Sequence, residues 1–142
     1  MLEINNETNI CFDISILERI AESLTPKNIE LILTDNEGIK ELNIAFRSKD
    51  STTDVLSFPF DDMGIIDGKL PLGSVVINLQ MAKTISEELK HSLESEVALL
   101  FIHGGLHLLG YDHEKDNGEH RAKEQQLMEL FNLPKSLIDR NQ

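Results

Sequence analysis

Apolar side chains recur at helical spacing in Ile16, Leu17, Ile20, Ala21 and Leu24, with Asp13 placed to cap and Thr25-Pro26 placed to stop the helix they predict. Just upstream, Leu2 to Ile4 reads as a short edge strand. The alternation from Ile29 to Leu33 predicts a second strand. Asp35 then opens a helix expected to turn Leu42, Ala45 and Phe46 inward, with Arg47 near its last turn. Val55 to Phe60, limited by Pro59, and Leu72 to Ile77 read as two more strands, joined hairpin-fashion through the acidic, glycine-containing segment Asp61 to Leu70. Asn78 is positioned to cap a helix from Leu79 to Lys90, and Ser92 to cap the next, with Glu94 and Glu96 near its positive end. From Val97 to Leu109 that helix is apolar on almost every side, which predicts a central helix buried between a sheet and outer helices. A final helix from Asn117 to Phe131 is expected to point Leu127, Leu130 and Phe131 inward and to end before Pro134. The pattern predicts an α+β fold: a mixed sheet of about four strands packed with about five helices. Residues 1–142 are expected to form a single domain, and no repeat, low-complexity tract or linker interrupts them.

Composition changes this picture at three points. A chain of 142 residues buries an ordinary core without disulfides, so the lone Cys11 reads as a small buried apolar side chain. The polar, acidic start Met1 to Glu7 lacks the basic and apolar regions of a secretory signal. The longest apolar stretch is shorter than the ~18 residues of a membrane span, so a cytoplasmic location without membrane contact is expected. Thirteen basic against twenty-five acidic residues give a net charge of -12, which opposes collection of phosphates and favours a protein partner, although a local basic cleft remains compatible with an acidic exterior. Glu87, Glu88, Glu94, Glu96, Glu114 and Glu119 read as solvated faces.

Chemistry concentrates in His103-Gly104-Gly105-Leu106-His107-Leu108-Leu109-Gly110-Tyr111-Asp112-His113, which sets imidazoles at offsets 0, 4 and 10 with a glycine at 7. Residues four apart share a helical face, so His103 and His107 can reach one ion. His113 converges with them only if the helix stops, and Gly110 is the residue that tolerates the left-handed turn required. A lone histidine would read as packed or capping; three at this spacing read as ligands of one Zn2+ per chain. Three protein ligands leave the open position typical of catalytic zinc. The offsets match the metzincin protease pattern HExxHxxGxxH, but Gly104 stands where that pattern has its general base. Peptide hydrolysis thereby loses its proton acceptor, and a protease or other hydrolase ranks last. Zinc still lowers the pKa of a coordinated water to about 7 and polarises a phosphoryl oxygen. Asp112 and Glu114 are candidate bases or, equally, residues that orient a histidine or cap a helix. Gly104 and Gly105 each cost about 1 kcal/mol in a helix interior, offset by close packing, by clearance for substrate, or by both.

HGGLHLLGYDH resembles the signature of the YbeY family of bacterial endoribonucleases. Asn43 to Arg47 with Thr53 to Pro59, and the strand opened by Leu72-Gly73, are similar to the family's other motifs in the same order. The resemblance covers the middle two-thirds of the chain. It implies His103, His107 and His113 as zinc ligands, with Arg47 and His113 functional in catalysis. It also implies single-stranded ribosomal RNA as substrate, in 16S 3′-end maturation and ribosome quality control, with the small subunit and its ribosomal or assembly proteins as partners. A guanidinium suits this role because it binds phosphate oxygens bidentately; the competing role for Arg47 is to balance a helix dipole. Ser57, Thr53 and Asp54 either line the cleft or make strand-entry hydrogen bonds. The chain departs from the family pattern at Ser74, Ala122 and Gln126, none of them a zinc ligand. A non-catalytic, zinc-stabilised ribosome-assembly or RNA-binding module is the alternative function. The nucleophile, zinc-activated water or ribose 2′-hydroxyl, is left open by the sequence.

Overall fold

The computed structural model describes residues 2–60 and 71–133. Four strands form one mixed sheet: β1 (Leu2–Asn6), β2 (Ile29–Thr34), β3 (Val55–Pro59) and β4 (Gly73–Asn78), in the order β1-β2-β4-β3. β1, β2 and β4 run parallel, with Ile4 opposite Leu31 and Leu31 opposite Val75, while β3 pairs antiparallel with β4 through Ser57 opposite Val75. The edge position of β3 accommodates Pro59, which has no N–H to give to a further strand. The expected connecting segment Asp61 to Leu70 lies outside the described residues.

Side-chain alternation divides the sheet into two faces. Ile29, Leu31, Leu33, Val75 and Ile77 face one side and pack with α1 (Ser15–Leu24), α3 (Leu79–Leu89), α4 (Leu93–Leu108) and α5 (Glu119–Leu130). Val76, Leu56 and Ile32 face the other and pack with Ile39 of α2 (Asn36–Arg47). The described residues thus contain the predicted α+β arrangement of four strands and five helices. α4 is the central element, touching β3, β4, α1, α3 and α5. Twelve of its sixteen residues are buried, and Ser92 caps it by accepting from the Ser95 backbone N–H at 3.0 Å. Asp35 and Asn78 cap α2 and α3 in the same way, through Gly38 and Met81.

Several expectations are corrected. Asp13 sits one residue too early to be the α1 cap: Ile14 holds that position, and the Asp13 carboxylate accepts from the Ser15 N–H at 2.9 Å. α2 turns Ile39 and Asn43 inward; Phe46 is 68% exposed and Ala45 is exposed too. Asn43 holds a core position with its Nδ2 donating to the Ser51 carbonyl at 2.9 Å, while its Oδ1 is buried without a hydrogen-bond partner among the described residues. Leu130 is 65% exposed, since α5 inserts the stripe His120, Glu124, Leu127 and Met128. Cys11 is exposed. Glu96 is fully buried beside His91, whose Nε2 lies 2.7 Å from its Oε1. Ser74 hydrogen-bonds the Glu30 carboxylate on the neighbouring strand.

Candidate metal centre

The end of α4 is shaped by its backbone. Tyr111 N–H donates to the Leu106 carbonyl and Gly110 N–H to that of His107, both at 3.0 Å, a paired closure of the last turn that requires a left-handed residue between them. Gly110 supplies it with φ +100°. The chain therefore folds back at Tyr111 and Asp112 and brings His113 to the rings of α4. Ring centroids are 4.9 Å apart for His103 and His107, 5.3 Å for His103 and His113, and 5.9 Å for His107 and His113.

A fourth imidazole joins them. His120, in the first turn of α5, lies 4.8 Å from the rings of both His103 and His107 and 5.2 Å from His113. The ligating atoms of His103, His107 and His120 all fall within 4.8 Å of one another. Sequence reasoning missed His120 because it belongs to no local motif. The available signal was the spacing of His120, Glu124, Leu127 and Met128, a helical stripe whose first two members are polar.

The electrostatics favour neutral imidazoles, the protonation state that ligates metal. Burial, then the neighbouring His103 and His107, push the pKa of His120 down to about 4. Burial, followed by His103 and His113, also lowers that of His107. His103 Nδ1 lies 2.7 Å from Oε1 of the fully buried Glu124. With the N–H there donating to the carboxylate, Nε2 is left as the lone-pair donor, the arrangement by which carboxylates orient metal-binding histidines. Both ring nitrogens of His120 are buried without a hydrogen-bond partner among the described residues. Orphaned buried polar atoms are costly, and a cation among these rings would take up the lone pair of one of the two, the other carrying the ring N–H. The donor set fits a divalent ion of the zinc type.

Beside the rings lies a cleft of about 380 Å³ lined by Arg47, Ser57, Asp112, Glu114 and His113, with His103 and His107 at its base. Arg47 reaches it from the end of α2, donating through Nη2 to the Ser57 carbonyl at 3.2 Å while its guanidinium carbon lies 6.0 Å from the Phe58 ring centre. Ser57 Oγ donates to the Gly104 carbonyl at 2.9 Å, tying β3 to α4 directly beneath the arginine. Thr53 does not line this cleft; with Lys49 and Ser51 it borders an adjoining cavity of about 260 Å³ that shares Arg47. Asp54 is half-buried, its pKa raised chiefly by desolvation, and its carbonyl accepts from the Asn78 N–H at 2.9 Å. The two helix glycines face neighbours closely. A Cβ on Gly104 would lie 2.8 Å from Val75 Cγ1, and one on Gly105 2.6 Å from Leu24 Cδ1, so close packing accounts for both.

An α+β frame whose buried helix ends in a cluster of imidazoles beside an arginine-bearing cleft defines a protein with a histidine centre able to hold a metal ion. Comparison with known proteins makes the assignment specific. A family model described as Endoribonuclease YbeY matches residues 3–132. The Endoribonuclease YbeY of Nautilia profundicola is 56% identical over 142 residues, spanning 100% of this chain and 99% of that protein. The protein of the same name from Helicobacter pylori strain 26695 is 55% identical over 143 residues, with the same coverage of 100% and 99%. That of Campylobacter jejuni strain RM1221 is 58% identical over 124 residues, 87% of this chain and 90% of the relative. The solution structure of TM1509 from Thermotoga maritima superposes with a TM-score of 0.61 at 28% identity, covering 89% of this chain and 85% of that one. The chain belongs to the YbeY endoribonuclease family.

Proposed function

We propose that this chain is a zinc-dependent endoribonuclease acting on single-stranded ribosomal RNA. Its process is 16S 3′-end maturation and ribosome quality control, in the cytoplasm and in contact with the small subunit and its assembly proteins. The names of its relatives support the reaction class. The observation that carries the reading is the convergence of Arg47 and the histidine cluster on one cleft. No helix among the described residues is long and apolar enough to cross a membrane.

His103, His107 and His113 would hold the ion. When bound, it would supply Lewis-acid polarisation of a phosphoryl oxygen and make a nucleophilic hydroxyl easier to deprotonate. The chain's own residues do the rest. Arg47 spends one N–H on Ser57 and keeps the others for phosphate oxygens, where charge develops in phosphoryl transfer. Packing over Phe58 holds the guanidinium in place. Asp112 and Glu114, at the cleft wall, are the groups placed to accept a proton. A cleft of this size takes an unstacked nucleotide and not a stacked duplex, which supports the single-strand preference.

Metal-loaded protein should cut a single-stranded ribosomal RNA fragment, and Arg47→Ala and His107→Ala should each slow cleavage by about 10²-fold or more. Intact RNA with the unmodified protein, or unchanged rates in both variants, would reject the reading. The non-catalytic assembly module draws support from the exposed Ile44 and Phe46 of α2 and the net charge of -12, both suited to a protein partner. In that case His113→Ala abolishes ribosome association while Arg47→Glu leaves biological activity intact.

A further inference from the structure

Family resemblance draws ligands only from the segment His103 to His113, yet the structure carries His120 to the same point from another helix. We propose that His120 is a permanent ligand of the ion held by His103 and His107, and that His113 is the exchangeable fourth ligand. The proposal rests on the metal-binding reading given above and extends it to a residue that reading does not use.

Compactness supports it first. His103, His107 and His120 bring their ligating atoms within 4.8 Å of one another, and His120 stacks on His103 at an interplanar angle of 27°. Burial separates the two candidate third ligands. His120 has no exposed surface and two unpartnered ring nitrogens, whereas His113 is partly exposed and lines the cleft that holds Arg47.

Anchorage separates them again. His120 stands in a regular helix whose start is pinned by Asp116: one carboxylate oxygen accepts from the Gly118 N–H at 2.8 Å and the other from the His120 N–H at 2.9 Å. His113 stands outside any helix, in a turn where the Asp112 carbonyl accepts from the Lys115 and Asp116 N–H groups. Behind the trio, Glu124 holds His103 from the same helix that carries His120, so α5 supplies both a ligand and an orienting carboxylate. Four side-chain nitrogens complete the coordination of a zinc-type ion. A phosphate oxygen would then enter only as one imidazole leaves, and the ligand placed to give way is His113, which is partly exposed and lines the cleft with Arg47.

The test uses the zinc-loaded full chain, read by X-ray absorption for ligand count and by chelator competition for affinity. Without RNA, the unmodified protein should show four imidazole nitrogens. His120→Asn should exchange one nitrogen for oxygen and lose at least about 100-fold in affinity, whereas His113→Asn should make the same exchange yet stay within about 10-fold of the unmodified protein. Circular dichroism of the metal-free forms checks folding, and where His120→Asn does not fold, the ligand count of the unmodified protein decides. Three imidazoles plus oxygen in the unmodified protein, unchanged affinity in folded His120→Asn, or an equal loss in His113→Asn would each overturn the assignment. His103→Asn separates the levels: if it too keeps full affinity, the metal-binding reading itself fails.

Discussion

In the metal-free protein His120 is a buried base held neutral, and its stability consequence has a definite sign. Its pKa is about 4 in the fold against 6.5 ordinarily, so between those values the unfolded chain binds a proton that the folded chain refuses. Stability therefore rises with pH across that window and is lost as pH falls through it. His107, lowered for the same first reason, acts in the same direction. Denaturant unfolding of metal-stripped protein should give a free energy lower by up to about 3 kcal/mol near pH 4 than near pH 7 from His120. A flat profile over that range would show that the ring is not held neutral. Legibility in the sequence also divides at this scale. The pair His103 and His107 is a local fact of helical spacing, and Gly110 marks where the chain must turn, so both could be read directly. His120 could not, since its place depends on how α5 packs against α4. Glu96 misled for a related reason: a carboxylate is solvated unless a partner such as His91 accompanies it inward, and that partner is a matter of tertiary packing.

At the scale of elements, α4 is where sequence and structure agree most fully, because a helix apolar on every side has only the interior to occupy. α2 is where they part. Leu42 packs against Ile39, Leu56 and Val76 as hydrophobicity predicts, but Ala45 is exposed, the edge of the sheet leaves Phe46 at the rim against Phe58, and Asn43 takes a core position with its bond to Ser51. The paired glycines of α4 give a prediction that hydrophobic pattern alone cannot rank. Both alanine variants gain about 1 kcal/mol of helix propensity. On Gly104 the new methyl meets Val75, Ser57 and Val55 on two fixed strands, at 2.8, 3.1 and 3.2 Å. On Gly105 it meets the tip of Leu24, at the free end of α1. Gly104→Ala should therefore destabilise by about 1–3 kcal/mol net of the propensity gain, and Gly105→Ala by less than about 1 kcal/mol. Thermal or denaturant unfolding of the two variants side by side checks the order, and an inverted order would place the close contact elsewhere. Gly110→Ala is different in kind, since the strain falls on a residue with φ of +100° and open space around it. Its expected effect is a loss of metal affinity larger than its loss of stability, measured by chelator competition alongside unfolding.

Across the whole molecule the charge imbalance that argued against nucleic acid becomes a quantitative constraint on how RNA is held. The fold class was readable at this scale because five helical and four strand patterns in this order admit few packings. What the sequence left unplaced was the location of its few cations. Arg47 lines the cleft with the histidines, and Lys49 lines the cavity that adjoins it. Against them stand Asp112 and Glu114 in the cleft wall and a net charge of -12 over the chain. Affinity for a single strand built on one or two phosphate contacts falls with salt at a logarithmic slope of only about -0.7 to -1.4, far shallower than that of a basic nucleic-acid-binding surface. Arg47→Ala should reduce the slope by about 0.7, whereas Lys27→Ala, at a residue that lines neither cavity, should leave it unchanged. Fluorescence anisotropy of a labelled oligonucleotide, titrated at several salt concentrations with a cleavage-silent His107→Ala background, measures both. A steep slope would mean that a basic surface beyond these two cavities collects the RNA. A slope insensitive to Arg47 would remove the arginine from the phosphate path and leave it as a helix-terminal cation balancing the dipole of α2.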